Sequence, residues 1–263
     1  MSYHKIFSVV NEHTASTVTA RYALSLAASD EAELVLYAAH GEGTDEMILR
    51  HFERHLDHLF TIASELGIAV SRITEAGSIT TLLPQRVQAE RADLVFYPLT
   101  PGDRYGATTV HHLLRAISSD LAIMRIVHMG RPDPRRILVP LGGIIGNREH
   151  RVLFIAALAK SFHSQVTLFH LAAGTAEREM PGEIARFREE LQRQHVAVLE
   201  RRGRGHIGRA ITVEAITRHN DLIVLGASER GPLRRLFFGN PAGDVMVQPP
   251  CNALLFRSAS VPS

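Results

Sequence analysis

A single cysteine, Cys251, serves the whole chain of 263 residues. An intrachain disulfide is thereby excluded, and a reducing compartment fits. Aromatic residues make up only 6%. None interleaves Arg201, Arg202, Arg204 and Arg209, so this basic cluster lacks the stacking platform that single-stranded nucleic acid requires. No specific nucleic-acid partner is expected. No apolar run approaches the roughly 20 residues of a membrane span. The N-terminus, MSYHKIFSVVNEH, lacks the anatomy of a signal peptide. No membrane insertion is expected, and the expected location is cytoplasmic. No Ser-His-Asp, paired-carboxylate or metal constellation stands at recognisable spacing, so no catalytic activity is expected.

Hydrophobic residues at 45% and charged residues at 21% suit a soluble globular fold. The formal net charge is only +2 but unevenly placed. Through Gly130 there are 10 Lys+Arg against 15 Asp+Glu; the remainder has 19 against 12. Any anionic ligand is therefore expected in the basic second half.

Short apolar runs alternate with helical periodicities along the chain. Strands are predicted at Lys5–Val10, Leu34–Ala39, Ala69–Ile73, Asp93–Tyr97 and Leu121–Val127. Helices are predicted at Thr14–Ser29, Asp45–Leu66, Ser78–Glu90 and Thr109–Ile117. Such alternation argues for an α/β fold with a doubly wound parallel sheet. The polar stretch Met129–Arg135, with two prolines, reads as a linker. Beyond it the pattern restarts. Arg136-Ile-Leu-Val-Pro140 echoes Lys5-Ile-Phe-Ser-Val9, and Ser164–Phe169 echoes Ala32–Tyr37. Asp221-Leu-Ile-Val echoes Asp93-Leu-Val-Phe, and Ala253-Leu-Leu echoes Ala122-Ile-Met. The echoes keep one order and one approximate offset, as an internal duplication would. Two tandem domains of five strands each are expected, residues 1–130 and 135–263.

The stretch Asp221–Phe256 is the most informative. The apolar run Leu222–Leu225, bounded by Gly226, reads as a buried strand. A loop with Gly231, Gly239, Arg230, Arg234 and Arg235 follows. Asn240-Pro241 then suits a helix start, and Pro249-Pro250 stop that helix near Gln248. Glycines that admit a ligand to the backbone, arginines and a helix N-terminus together fit a phosphate site. An ordinary strand-to-helix connection with turn glycines fits the same residues.

This stretch resembles the C-terminal half of a universal stress protein domain, whose signature is G-x2-G-x9-G-[ST] before a short helix. Gly226 and Gly239 match its first and third glycines, and Pro250-Cys251 its entry to the last strand. Glu229 stands at the second glycine, with Gly231 nearby, and Asn240 replaces Ser/Thr. The order of elements extends the resemblance to both halves. The loop after each first strand, where ATP-binding members carry an Asp, has Asn11 in the first half. In the second half the loop Pro140-Leu141-Gly142-Gly143 has Gly142 at that place; its PLGG form resembles stress-protein-like domains fused to transporters. In the first half, the corresponding loop Pro98–Thr109 has no matching glycine pair, Thr108-Thr109 stand where Gly-Ser would be and Asp103 disfavours phosphate, so that half is expected to be structural.

The resemblance implies an adenine nucleotide (ATP, ADP or AMP, with Mg2+ if ATP) in the second domain. Its phosphates would meet Gly226, Arg230, Gly231, Gly239, Asn240 and Pro241. Its base and ribose would lie along Pro140–Gly143, with Leu171 and Leu225 at neighbouring strand ends. The last strands of the two domains would pair, as in a pseudo-dimer within one chain; homodimers would also be in keeping. Two functions follow: a noncatalytic stress-response regulator that binds a nucleotide, or a nucleotide-free interaction module, for example the partner of a membrane transporter.

Three further patterns have plainer readings. Gly203-Arg-Gly205-His-Ile-Gly208 fits G-x-G-x-x-G but follows a third strand, so a strand-to-helix turn accounts for it. His51, His55 and His58 share one helix face, but interleaved Glu53, Arg54 and Asp57 mark that face as solvated rather than zinc-binding. Cys251, with no activating base, reads as a packing residue.

Overall fold

Apolar runs too short for helices form strands throughout the chain, and the longer amphipathic runs between them form helices. The computed structural model describes residues 3–99, 106–130, 133–142, 145–171, 180–227 and 243–259. The chain divides into two units, residues 1–132 with 257–263, and residues 133–256.

The first unit runs β1 (Lys5–Val9), α1 (Thr14–Asp30), β2 (Glu33–His40), α2 (Glu46–Glu65) and β3 (Val70–Ala76). It continues with α3 (Ile79–Ala89), β4 (Leu94–Leu99), α4 (Gly106–Ala116) and β5 (Asp120–Arg125). Its strands lie in the order β3-β2-β1-β4-β5, all parallel. The second unit runs β6 (Arg136–Leu141), α5 (Arg148–Phe162), β7 (Gln165–Leu171), α6 (Gly182–Arg193) and β8 (Val198–Gly203). It ends with α7 (Ile207–Thr217), β9 (Leu222–Gly226), α8 (Gly243–Val247) and β10 (Asn252–Arg257). The parallel order β8-β7-β6-β9-β10 repeats that of the first unit.

The repeat extends to single hydrogen bonds. Asp93 Oδ2 accepts from the backbone N–H of His4 and Lys5, at 2.5 and 3.3 Å. Asp221 Oδ2 accepts from those of Arg135 and Arg136, both at 2.9 Å. In each unit a carboxylate before the fourth strand thereby fixes the entry of the first. Helices α1 and α5 both end in a left-handed residue, Glu31 and His163. The next N–H returns to Ala27 O in one and Ala159 O in the other. These bonds align α1 with α5, Ala27 with Ala159.

Central strands are buried almost end to end, as parallel strands covered on both faces must be. Helix α1 packs against α2 and α3 against α4; α5 against α6 and α7 against α8. Phe154 of α5 stacks on Phe256 of β10 with centroids 4.1 Å apart, docking helix onto strand. Each such ring contributes about 1.5–3 kcal/mol by leaving water. The edge strands β3 and β8 instead alternate between exposed and half-buried positions. Strand β3 therefore outruns its predicted end at Ile73. Thr74, Glu75 and Ala76 still find ladder partners in Ala38, Ala39 and His40.

Replacing Asp221 by Ala removes the acceptor of two backbone N–H groups. The expected loss is about 1–3 kcal/mol, read as a lower urea midpoint, with Asp93→Ala acting likewise in the first unit. A second test uses pH. Arg86 holds the Glu75 carboxyl below its ordinary value, and the Tyr37 hydroxyl, donating at 2.8 Å, adds to the effect. A depressed folded-state pKa stabilises the fold above the unfolded value and ceases to do so as pH falls through the folded one. The urea midpoints of wild type and Glu75→Gln should therefore differ at neutral pH and converge in acid.

Candidate functional site

In each unit the strand order reverses beside the first strand, which opens a crevice at the C-terminal ends of the first and fourth strands. In the second unit these are β6 and β9. Their ladder comprises Ile137↔Leu222 and Leu138↔Ile223. Beyond it β6 stays paired with β7 as far as Leu141↔His170, and β9 with β10 as far as Gly226↔Phe256. The two strand ends border the crevice without a ladder between them.

Pro140 is half-buried, Leu141 buried and Gly142 exposed at the end of β6. The buried His170 donates from Nδ1 to the Leu141 carbonyl at 3.1 Å, which fixes that strand end. Leu225 and Gly226 are buried at the end of β9. Leu171 closes β7, one strand away and half-buried. These six expected residues thus sit on three adjacent strand ends. Gly143, Glu229, Arg230, Gly231, Gly239, Asn240 and Pro241 lie outside the described residues.

One residue in this region has no counterpart among the sequence-derived candidates. Arg151, in the first turn of α5, is 8% exposed. Burial alone pulls its guanidinium down to about 10, still charged at neutral pH. A Cβ placed on Gly226 would fall onto that guanidinium, so glycine at the last residue of β9 leaves it room. Nη2 of Arg151 is buried and has no hydrogen-bond partner among the described residues. Arg148, three residues earlier, pairs instead with Glu183 and Glu190, each at 3.0 Å. A buried cation without a partner costs on the order of several kcal/mol. The available signal was register: Arg151 shares a helical face with Ile155, Leu158 and Phe162, all buried.

The first unit is built differently at the same places. The helix alignment puts Thr19 where Arg151 stands, and its Oγ1 donates to Ala15 O at 3.0 Å. The ladder pairs of the fourth strands put Pro98 at the place of Gly226. Asn11, at the place of Gly142, is consumed locally. Its Oδ1 accepts from His13 N–H at 3.0 Å, and its carbonyl accepts from Ser16 Oγ at 3.0 Å and His55 Nδ1 at 2.9 Å. Asp103 lies outside the described residues.

Residues 134–257 match the family model of the universal stress protein family. The second unit belongs to that family. Solved structures extend the likeness to both units. A universal stress protein from Archaeoglobus fulgidus DSM 4304 superposes with TM-score 0.69 at 11% identity, covering 97% of each chain. A functionally unknown protein from Pseudomonas aeruginosa PAO1 gives 0.66 at 17%, covering 98% of this chain and 93% of its own. The cytoplasmic domain of a prokaryotic cation chloride cotransporter gives 0.67 at 13%, covering 98% and 96%. At these identities the likeness is one of fold, and it covers both units of this chain. A comparison with curated proteins finds no match.

Within the universal stress protein fold the other sequence patterns find structural accounts. Gly203 ends β8, where the Phe169 ring lies against its Cα, and Gly205 turns the chain with φ 89°. Strand β8 is at the end of its unit's strand order, remote from the reversal. Arg201 and Arg202 are exposed on it, as charges on an edge strand are. Among the described residues, no three His, Cys, Asp or Glu are grouped to hold a metal ion. No described helix is long and apolar enough to cross a membrane.

Cys251 is 4% exposed, and burial first, then the charge of Asp221, pushes its thiol up to about 12. Iodoacetamide at pH 8 should leave the native protein unmodified and alkylate Cys251 only in urea. Rapid alkylation of the native protein would contradict its role as a packing residue.

Proposed function

We propose that this tandem universal stress protein is a noncatalytic regulator whose second unit binds an adenine nucleotide in the crevice between β6 and β9, the first unit serving as scaffold. The observation that carries the reading is the difference between the repeats at the reversal of strand order. The second unit has an exposed glycine and a buried glycine at the two strand ends, beside a buried cation whose Nη2 has no partner among the described residues. The first has Asn11 and Pro98, with the polar groups of its loop already bonded to one another.

In this reading the base and ribose lie along Pro140–Gly143, with Leu171 and Leu225 beside them. The phosphates meet Gly226 and the chain that follows it, including Arg230, Gly231, Gly239, Asn240 and Pro241. The orphaned Nη2 of Arg151 suits an anionic ligand at this place. Mg2+ would arrive on the phosphates of ATP, as that ion commonly does. The protein would act in the cytoplasm, in response to stress.

Calorimetric titration of the full chain with ATP, ADP and AMP tests the proposal. Gly239→Asp, which sets a carboxylate against the phosphates, should weaken binding about tenfold or more, while Asn11→Ala leaves it unchanged. Unaltered affinity in Gly239→Asp would remove the phosphates from this position. The second reading, a nucleotide-free module working with a transporter or another protein, has in its favour the shared fold of the cotransporter's cytoplasmic domain. Absence of binding to all three nucleotides would favour it.

A further inference from the structure

We infer that Arg151 is an oxyanion-recognition residue of the second unit, its guanidinium receiving a phosphoryl group of a ligand seated at the ends of β6 and β9. The position of the ligand rests on the nucleotide reading above; the role of Arg151 is tested separately from it.

Three observations support the assignment. First, the side chain is more than nine-tenths buried and its Nη2 bonds to nothing among the described residues, although a guanidinium is an obligate donor. Other arginines of the unit show what satisfaction looks like: Arg148 reaches Glu183 and Glu190, and Arg188 reaches Glu200 at 3.2 Å. Second, Gly226 leaves its Cβ position to the guanidinium, so the charge lies at the level of the strand end that borders the crevice. Third, the fold does not require the charge, because the first unit builds the same helix and strands with Thr19 and Pro98 at these places. A planar fork of donors matches two phosphoryl oxygens at once, which an ammonium cannot do. The positive excess of the chain after Gly130 draws anions toward this half.

The test compares inorganic phosphate, adenosine and AMP on the full-length wild type, Arg151→Met and Arg151→Lys, with sodium chloride holding ionic strength constant. In wild type, phosphate should raise the melting midpoint, and AMP should bind about tenfold or more tightly than adenosine. Arg151→Met should lose both effects. Without ligand it should melt at or above wild type, because an unpaired buried charge is replaced by an apolar chain of similar length. Arg151→Lys keeps the charge but not the fork and should show a reduced phosphate shift, which serves if the methionine variant does not fold.

An unchanged phosphate shift in either variant, or an AMP-to-adenosine ratio in Arg151→Met equal to that of wild type, overturns the assignment. So does a wild type that responds to neither phosphate nor AMP. A wild type stabilised by phosphate through Arg151, yet indifferent to adenosine and no tighter for AMP than for phosphate, removes the nucleotide reading and keeps the oxyanion site. Adenosine binding that gains nothing from a phosphate does the reverse.

Discussion

Parallel pairing constrains everything else in each unit. Parallel neighbours cannot be joined by a tight turn, so every connection crosses a face of the sheet as a helix. The crossovers, of a kind that is right-handed as a rule, carry the chain outward from β6 to β7 and β8, and the fourth strand returns to the free side of β6. Helices on either side of that reversal belong to opposite faces, and the ends of β6 and β9 are left between them. The crevice is thus a consequence of topology, and the side chains placed in it decide what it does.

The two repeats separate these contributions. They share strand order, the aspartate that ties the first strand to the fourth, and the left-handed ends of α1 and α5. At the crevice they part. The first unit spends its polar groups on itself, through Asn11, Ser16 and His55. The second leaves Gly142 exposed and keeps beside Gly226 a buried cation whose Nη2 has no partner among the described residues. A fold selected for stability alone gains nothing from such a charge.

Much of this architecture was legible because buried parallel strands read as continuous apolar runs and because the same runs recur in order. Edge strands were less legible. Half of β3 is polar, and its last residues are strand only because β2 offers them partners. Glycines were legible as positions but not as reasons. Gly203 and Gly226 each fit a motif, yet the structure explains one by the ring of Phe169 and the other by the guanidinium of Arg151. Arg151 itself was not legible as a candidate. In Arg-Glu-His-Arg it looks like one more charge at a helix start, and only its register with Ile155, Leu158 and Phe162 places it on the buried face.

The most direct test of the central claim is mass spectrometry of whatever freshly purified protein releases on heat denaturation. A near-stoichiometric adenine nucleotide is the predicted result, and it would make the basic second unit the sensor. Finding none, with no thermal shift on adding millimolar ATP and magnesium, would contradict the account and leave a tandem scaffold whose work is done through its partners.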